Sequence, residues 1–245
     1  MTEKGKFIVI EGADGAGTTT QAKLLADRLS PKDELCGNDG VFSMFTREPT
    51  DGTVGEMIRE RILSGNYGSV SNEVLMLLFR ADRMDHCDKI RPYLDGGVHV
   101  ICDRYYPSTL VYQTLGEHDV HKEMLAMFDM FRYSDNILPP DLIVYLDVDL
   151  DERMERISSR GEPMEIFDEA DKQEMIQRSY NTWFYSKFGY DQLYSGSRVC
   201  RVNGNASVEE VAIDIAKIVG EWCNIPKLTD TPIFCSETEK LRDAE

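Results

Sequence analysis

The stretch that decides the fold is residues 6–29, which read KFIVIEGADGAGTTTQAKLLADRL. It begins with a short apolar run, Phe7 to Ile10, whose β-branched residues are typical of a parallel strand buried on both faces. It ends with apolar side chains at the i, i+3, i+4, i+7 spacing of one helix face, namely Ala22, Leu25, Ala26 and Leu29. The sequence therefore predicts a strand, a glycine-rich turn and a helix.

The turn has the composition of a phosphate-binding loop. Glycines let backbone N–H groups face an anion, and the following helix directs the positive end of its dipole at the same place. Residues 12–19 match the pattern G-x-x-x-x-G-K-[ST], except that Thr18 stands at the lysine position and offers no charge. A glycine turn without a ligand is the alternative, but strand, loop and helix agree with each other. We expect the phosphate-binding residues to be Gly12, Ala13, Asp14, Gly15, Ala16, Gly17, Thr18 and Thr19, the last with a hydroxyl suited to Mg²⁺.

Length and charge limit the class of protein. A chain of 245 residues suits one α/β domain. A net charge of −17 argues against nucleic acid or an anionic membrane as partner, because both attract basic surfaces. No apolar run has the length of a membrane span, and the charged start MTEKGK lacks a signal-peptide pattern. The six cysteines form no C-x-x-C pair. We therefore expect a cytoplasmic protein with reduced thiols.

The rest of the chain alternates between strands and helices. Further strands are predicted at 41–46, 98–102, 141–148 and 198–202, and helices at 53–63, from 71, from 107, and at 119–131, 151–159, 173–188 and 207–222. The last helix is predicted to begin with a capping box formed by Ser207 and Glu210. This alternation predicts a five-stranded parallel sheet with right-handed crossovers and helices on both faces. We expect one domain over 1–223, a polar mobile lid at about 159–171, and an irregular tail over 224–245.

Charged side chains follow two of the predicted strands. Ligands of open α/β sheets collect beyond the carboxyl ends of the strands. Arg47 is therefore well placed to hold a phosphate, although a surface arginine on a loop fits equally well. Asp103 can reach a nucleotide's metal ion, and Arg104 can bridge two phosphoryl groups. An ion pair that closes the strand is the alternative for Asp103 and Arg104.

Two helical stretches offer groups for binding a base. Phe79 and Arg83 share one helix face, and the simpler interpretation is a core phenylalanine beside a solvated arginine. The stretch from Pro107 presents side chains that can hydrogen-bond a base edge and crowd a sugar, namely Ser108, Thr109, Tyr112 and Gln113.

Five motifs in order, FIVIEGADGAGTTTQ, FTREP, LMLLFRADR, DRYYPSTLVYQ and PDLIVYLDV, resemble the thymidylate kinases, a family of nucleoside monophosphate kinases. The resemblance reaches to about Trp222. It implies a P-loop NTPase three-layer sandwich that is commonly a homodimer. It also implies the reaction ATP + dTMP → ADP + dTDP with Mg²⁺ bound by Thr19 and Asp103.

The resemblance also implies roles for residues. The thymine would stack on Phe79 and bind Arg83 and Thr109 or Ser108, with Gln113 in the same pocket. Tyr112 would crowd the place of a ribose 2′-OH. The phosphates would be handled by three side chains, with Asp14 near the sugar 3′-OH and the acceptor phosphate, Arg47 on that phosphate, and Arg104 bridging donor and acceptor.

Two positions depart from the family pattern. Thr18 replaces the loop lysine, and Gly15 stands where one branch of the family places an arginine. The other branch places basic residues in the lid, where this chain has Glu165. A substitute cation is therefore expected from Arg104, Arg153, Arg156 or Arg160. We predict that Arg160, or Arg156 one turn before it, covers the γ-phosphate of ATP when the lid closes.

Three other functions compete with this one. The first is a kinase for another monophosphate, such as dUMP, dGMP or a modified deoxynucleotide, and pocket residues would set that choice. The second is a catalytically silent relative that binds a nucleotide or a partner, which Thr18 and the acidic lid favour. A dehydrogenase with a dinucleotide-binding fold is the weakest, because Gly12 to Gly17 has the wrong glycine spacing.

Overall fold

The computed structural model describes residues 3–30, 42–65, 70–116, 119–132, 134–159, 161, 167–185, 197–225 and 228. Arg160, Glu165 and most of the predicted lid and tail lie outside these ranges. The predictions that concern them are therefore not tested by the structure.

A parallel sheet forms the centre of the molecule. In the described residues it contains five strands, β1 (Phe7–Gly12), β2 (Ser43–Arg47), β3 (His99–Asp103), β4 (Leu142–Asp147) and β5 (Arg198–Asn203). Their order across the sheet is β2-β3-β1-β4-β5, and all neighbours run parallel. The register places Ile10 beside Asp103, and Asp103 beside Arg47. The predicted five-stranded parallel sheet is confirmed, and the predicted strand ends fall together at one edge.

Helices cover both faces of the sheet. They are α1 (Thr18–Leu29), α2 (Thr53–Met57), α3 (Asn72–Asp95), α4 (Tyr106–Gln113), α5 (Val120–Arg132), α6 (Leu150–Ser159), α7 (Ala170–Tyr185) and α8 (Val208–Trp222). The predicted capping box of α8 is present, because the Ser207 hydroxyl accepts from the Glu210 N–H while the Glu210 carboxylate accepts from the Ser207 N–H. No helix in the described part of the chain is both long and apolar enough to cross a membrane.

The core lies on the two faces of β1. Phe7 and Val9 pack with one cluster, which includes Ile90, Leu110 and Tyr180 of α3, α4 and α7. Ile8 and Ile10 pack with the other, which draws on α1 and α8. All four β1 side chains are at most 1% exposed, so each contributes roughly 1.5–3 kcal/mol of transfer free energy. Burial on both faces is what the unbroken apolar run predicts.

Some boundaries differ from the predictions. The predicted helix over 53–63 is α2 followed by a π-helical segment, Ile58–Leu63. Helix α7 begins at Ala170, three residues earlier than predicted. The first residues of the predicted tail belong to the core, because Ile225 and Leu228 are buried in the cluster of α1 and α8. Arg28 of α1 donates a hydrogen bond to the Leu228 carbonyl at 2.7 Å.

Candidate active site

The loop between β1 and α1 is wound as its glycines predict. Gly15 and Gly17 have φ of 80° and 86°, a conformation that residues with a Cβ rarely adopt. Gly17 precedes α1 and has no side chain to cap it, so the helix N-terminus is left for another acceptor. A Cβ at Gly12 would lie 2.9 Å from the Ala16 Cβ, so the turn closes tightly. The result is a concave backbone loop at the positive end of a helix, which is the geometry of an anion site.

Thr18 and Thr19 behave differently in this loop. Thr18 is 5% exposed, and its methyl group lies against Gly12, so it packs inside the loop and brings no charge. Thr19 is exposed, and its hydroxyl donates to Asp103 Oδ2 at the end of β3. The other Asp103 oxygen, Oδ1, is buried and has no hydrogen-bond partner in the described residues.

Thr19 and Asp103 suit a magnesium ion. A hydroxyl and a carboxylate are hard oxygen ligands, and Mg²⁺ usually takes only one or two carboxylates with the rest from phosphates and water. The unpartnered Asp103 Oδ1 gives the site an acceptor that needs a cation or a donor. Within the described residues no group of three or more His, Cys, Asp and Glu could hold a metal, so an all-protein cage is not present there.

Arg104 lies between the loop and α4. Its φ is 66°, a left-handed conformation that is strained for arginine, and such strain is concentrated at functional sites. Its guanidinium donates to the Gly12 carbonyl at 2.8 Å, to Asp14 Oδ1 at 2.7 Å and to the Tyr112 hydroxyl at 3.2 Å. Burial alone would lower the pKa of Arg104, but Tyr112 and Asp14 outweigh it and raise that pKa. Arg104 is therefore a fixed cation beside the loop.

Arg83 is buried, so the simpler interpretation of a solvated arginine is wrong. Its Nε donates to Glu48 Oε2 at 2.8 Å, and its Nη2 donates to the Thr109 hydroxyl at 2.9 Å. The other Glu48 oxygen bonds His86 Nδ1 at 2.9 Å. Burial opposes the charge of Arg83, but the Glu48 carboxylate outweighs it, and the pKa of Arg83 is raised. This network connects the end of β2 to α3 and α4.

The other predicted base-binding residues lie on α3 and α4, the two helices that the Arg83–Thr109 hydrogen bond joins. Gln113 is 1% exposed, and neither its amide oxygen nor its amide nitrogen has a partner in the described residues. Phe79 is half-buried beside the small cluster of Ile58, Ile62 and Leu75. Ser108 is engaged elsewhere, because its hydroxyl donates to Glu11 Oε2 at 2.8 Å. Of these groups, the orphaned Gln113 amide is the one that a ligand would satisfy.

Arg47 ends β2 at the same sheet edge. It donates to Asp51 at 2.6 Å, and this hydrogen bond lowers the pKa of the Asp51 carboxyl. Its side chain is 42% exposed, so it can reorient toward a ligand at little cost. The structure places Arg47 at the site without showing a contact to the loop.

A cleft of about 470 Å³ opens on the other side of the loop. It lies between α1, α6 and the turn that precedes α8, and it is lined by Gly17, Gln21, Arg156, Asn205 and Ser207 among others. Arg156 donates to Glu152 at 2.9 Å and to the Gly204 carbonyl at 3.1 Å. Its other nitrogen lies 3.4 Å from the Gly15 carbonyl, so Arg156 connects the cleft to the phosphate loop.

The sequence interpretation missed one residue of α7 and one of β1. Gln173 is fully buried and donates to Asp14 Oδ2 at 2.8 Å. Glu11 is fully buried at the end of β1 and accepts from the Tyr105 N–H, Ser108 and Tyr180. Burial raises the pKa of Glu11 despite these donors. A carboxylate inside an apolar strand was a signal for Glu11, whereas nothing local points to Gln173.

This fold and loop define the class of the protein. A parallel sheet with a glycine loop between β1 and α1, followed by a hydroxyl and an aspartate from the neighbouring strand, is the P-loop NTPase fold. A solved structure of thymidylate kinase from Candida albicans has this fold, with a TM-score of 0.69 at 21% identity, covering 94% of this chain and 96% of that one.

Sequence comparison gives the family. The thymidylate kinase family model matches residues 10–215. A probable thymidylate kinase from Methanococcus maripaludis strain C7 is 41% identical over 192 residues, which is 76% of this chain and 84% of the relative. A second, from Thermococcus gammatolerans, is 35% identical over 222 residues, which is 88% of this chain and 96% of the relative. The chain belongs to the thymidylate kinase family, which is a family of nucleoside monophosphate kinases.

Proposed function

We propose that the chain catalyses transfer of the γ-phosphoryl group of ATP to dTMP, giving ADP and dTDP. The observation that carries this proposal is the convergence of the phosphate loop, Arg104 and Asp14 at one sheet edge, together with the amide of the buried Gln113 on the adjoining helix α4, which has no partner in the described residues. Phosphoryl transfer needs positioning and charge neutralisation more than a protein acid or base, and this arrangement offers both.

The reaction needs two phosphates in line. A phosphate oxygen of dTMP forms a bond to the γ-phosphorus, the bond from that phosphorus to the bridging oxygen breaks, and the electron pair leaves with ADP. The loop N–H groups would hold the donor phosphates, while Arg104, fixed by Asp14 and the Gly12 carbonyl, would neutralise charge on the group in transfer. Thr19 and Asp103 would hold Mg²⁺, which when bound neutralises charge on the donor phosphates.

The acceptor would lie on the side of α3 and α4. Phe79 would stack on the base, and Arg83, Thr109 or Ser108 and Gln113 would hydrogen-bond its edge. Tyr112 would exclude a 2′-hydroxyl, because its own hydroxyl is held by Asp14 at 2.9 Å. Arg47 would hold the acceptor phosphate. Of these groups, the unpartnered Gln113 amide supports base binding most directly.

Other parts of the proposal come from the sequence. The homodimer is implied by the family resemblance, whereas the cytoplasmic location and the closing lid over about 159–171 follow from composition and pattern, as does one domain over 1–223, to whose core Ile225 and Leu228 also belong. The role of Arg160 over the γ-phosphate is a further part, and Arg160 lies outside the described residues. Arg160→Ala is expected to abolish turnover while dTMP still binds, and unchanged turnover would exclude this role.

A silent relative is the second candidate, and the uncharged Thr18 favours it. The deciding experiment measures ADP release from ATP and Mg²⁺ with dTMP, dUMP, dGMP, dCMP or UMP as acceptor, for the wild type and for Thr18→Lys. Turnover that prefers dTMP supports the proposal, and preference for another acceptor corrects the substrate. No turnover with any acceptor, restored by Thr18→Lys, supports the silent relative.

A further inference from the structure

Arg153 of α6 is a buried cation without an anionic partner. Its side chain is among the largest fully buried ones, with 1% of the residue exposed. Its nitrogens donate to the carbonyls of Val148, Asp14 and Gln173 and to the amide oxygens of Gln173 and Gln177. None of these oxygens carries a formal charge, and no carboxylate in the described residues forms an ion pair with Arg153.

Such an arrangement is costly for a protein. A buried charge is normally paired, because removing it from water without compensation costs several kcal/mol. Asp14 is the nearest candidate, but its carboxylate already accepts from Arg104 at 2.7 Å, Tyr112 at 2.9 Å and Gln173 at 2.8 Å. Burial lowers the pKa of Arg153 from its ordinary value, and Tyr112, Tyr145 and Asp14 offset this only in part. An anion bound nearby would supply the missing compensation.

The phosphate loop rests directly on Arg153. A Cβ at Gly15 would lie 2.6 Å from the Arg153 carbonyl oxygen and 3.0 Å from its Cα. No side chain fits at position 15 without moving α6. Arg153 Nη1 donates to the carbonyl of Asp14, the preceding loop residue, at 3.3 Å. The guanidinium is therefore fixed under the same loop that lacks a lysine at position 18.

We propose that Arg153 is a substitute cation of this phosphate loop, separate from the one proposed in the lid, and that it acts from beneath the loop as a fixed positive charge that favours binding of a nucleoside triphosphate. It does not touch the phosphates in this arrangement, because its nitrogens are occupied by the five oxygens named above. It is a positioning residue whose charge compensates for the neutral Thr18. This inference rests on the proposed function only in that the loop binds ATP.

Arg153 also determines how Asp14 is held. The amide oxygen of Gln173 accepts from Arg153, so its amide nitrogen must face the opposite way. That nitrogen donates to Asp14 Oδ2 at 2.8 Å and to the Phe167 carbonyl at 3.0 Å. Arg153, Gln173 and Asp14 thus form a chain of hydrogen bonds from α6 through α7 to the loop. Loss of Arg153 would free the amide to flip and would loosen Asp14.

Two variants test the charge in different ways. Arg153→Met removes the guanidinium, and Gln177→Glu leaves it in place but gives it a carboxylate partner. Arg178→Met is the matched control, because Arg178 is an exposed arginine on the same helix as Gln177, paired with Glu174. The affinity for ATP with Mg²⁺ and without acceptor is measured by calorimetric titration, beside the affinity for dTMP and the thermal unfolding midpoint of each variant.

We expect Arg153→Met and Gln177→Glu each to weaken ATP binding about tenfold, the effect of one partly screened charge, with a smaller effect on dTMP. Arg178→Met should bind ATP as the wild type does. If Arg153→Met fails to fold, Gln177→Glu still tests the proposal, because that variant keeps the Arg153 side chain and its packing. Unchanged ATP affinity in the folded variants overturns the proposal.

A double substitution separates charge from structure. In a Thr18→Lys background the loop has its own cation. Arg153→Met should therefore weaken ATP binding only about twofold in that background, compared with about tenfold in the wild-type background. An equal loss in both backgrounds means that Arg153 acts through packing, which overturns the proposal.

Turnover with dTMP, measured in parallel, tests the proposed function separately. A wild type that binds ATP in an Arg153-dependent way but does not phosphorylate dTMP keeps this inference and rejects the reaction. If the wild type phosphorylates dTMP but its ATP affinity does not depend on Arg153, the reaction is kept and the role of Arg153 is rejected. If the wild type does not bind ATP, both the reaction and the role of Arg153 are rejected.

Discussion

Arg83 and Arg153 are both fully buried at the candidate active site, but of the two only Arg83 has a carboxylate partner in the described residues. Arg83, on the side proposed for the acceptor, is 2.7 Å from the Glu48 carboxylate, which also binds His86. Arg153, under the phosphate loop, is held by neutral oxygens. A paired charge fixes a wall of a pocket, whereas an uncompensated one keeps its attraction for an incoming anion. The two sides of the site therefore suit a base and a polyphosphate, respectively.

Arg104 is intermediate between Arg83 and Arg153, because it is paired but partly exposed. Of the substitutions considered, its removal should lower the catalytic rate most. It is paired with Asp14, but its side chain is 20% exposed at the loop. Arg104→Met should lower kcat with dTMP by about 10³-fold or more, because the group in transfer loses its cation. Steady-state kinetics measure this, and Arg104→Lys should recover part of the loss. A change below about tenfold would show that another cation does this work.

The next largest expected effect is on stability, and it comes from removing the carboxylate partner of Arg83. Glu48→Gln leaves Arg83 as unpaired as Arg153, and should lower the free energy of unfolding by about 3 kcal/mol, as for a broken buried pair. Gln177→Glu makes the opposite change at Arg153 and should alter stability by less than about 1 kcal/mol. Urea denaturation compares the two variants, and equal losses of stability would remove the distinction drawn between the two arginines.

A substitution at Gln113 tests whether the side of the site proposed for the acceptor binds a base. Because its amide atoms have no partner in the described residues, Gln113→Leu should leave the folded protein at least as stable. It should raise KM for dTMP about tenfold with a smaller change in kcat, since a base edge would lose its hydrogen bonds. Kinetics at varied dTMP separate the two constants. An unchanged KM together with lower stability would place Gln113 in the fold and not in the pocket.

The smallest effect concerns Glu11, which is the anionic counterpart of Arg153. It is a buried carboxylate held by neutral donors, and burial raises its pKa above the ordinary 4.5. Between 4.5 and the raised pKa the folded protein keeps a proton that the unfolded chain has released. The free energy of unfolding should therefore fall as pH rises through this window.

Glu11→Gln cannot titrate, so it should lack that part of the pH dependence. Unfolding curves of both proteins at a series of pH values from 4.5 upward measure the difference. Identical pH profiles for the two proteins would mean that Glu11 is not shifted.

The sequence predicted those features of the structure that depend on residues close together in the chain. The apolar run before Gly12, the glycine spacing and the alternation of elements predicted the sheet and the loop, because each depends on neighbouring residues. The capping box at Ser207 was predicted for the same reason. The site residues at strand ends came together because parallel strands end at one edge.

Non-local pairing is what the sequence did not reveal. The burial of Arg83 depends on Glu48, which lies 35 positions earlier on another element. The role of Gln173 depends on Asp14, 159 positions away. Helical spacing says which residues share a face but not what packs against that face, so a buried arginine could be taken for a solvated one. The π-helical segment after α2 likewise has no simple pattern in the residues that form it.

The threonine at position 18 has a consequence for chemical modification of the protein. Acetylation of a lysine removes its charge, and a loop that relies on a lysine can be inactivated in this way. Residues 12–19 contain no amine. A guanidinium buried beneath the loop is beyond the reach of acetyl transfer, so the phosphate site of this chain should keep its charge under conditions in which accessible lysines are acylated.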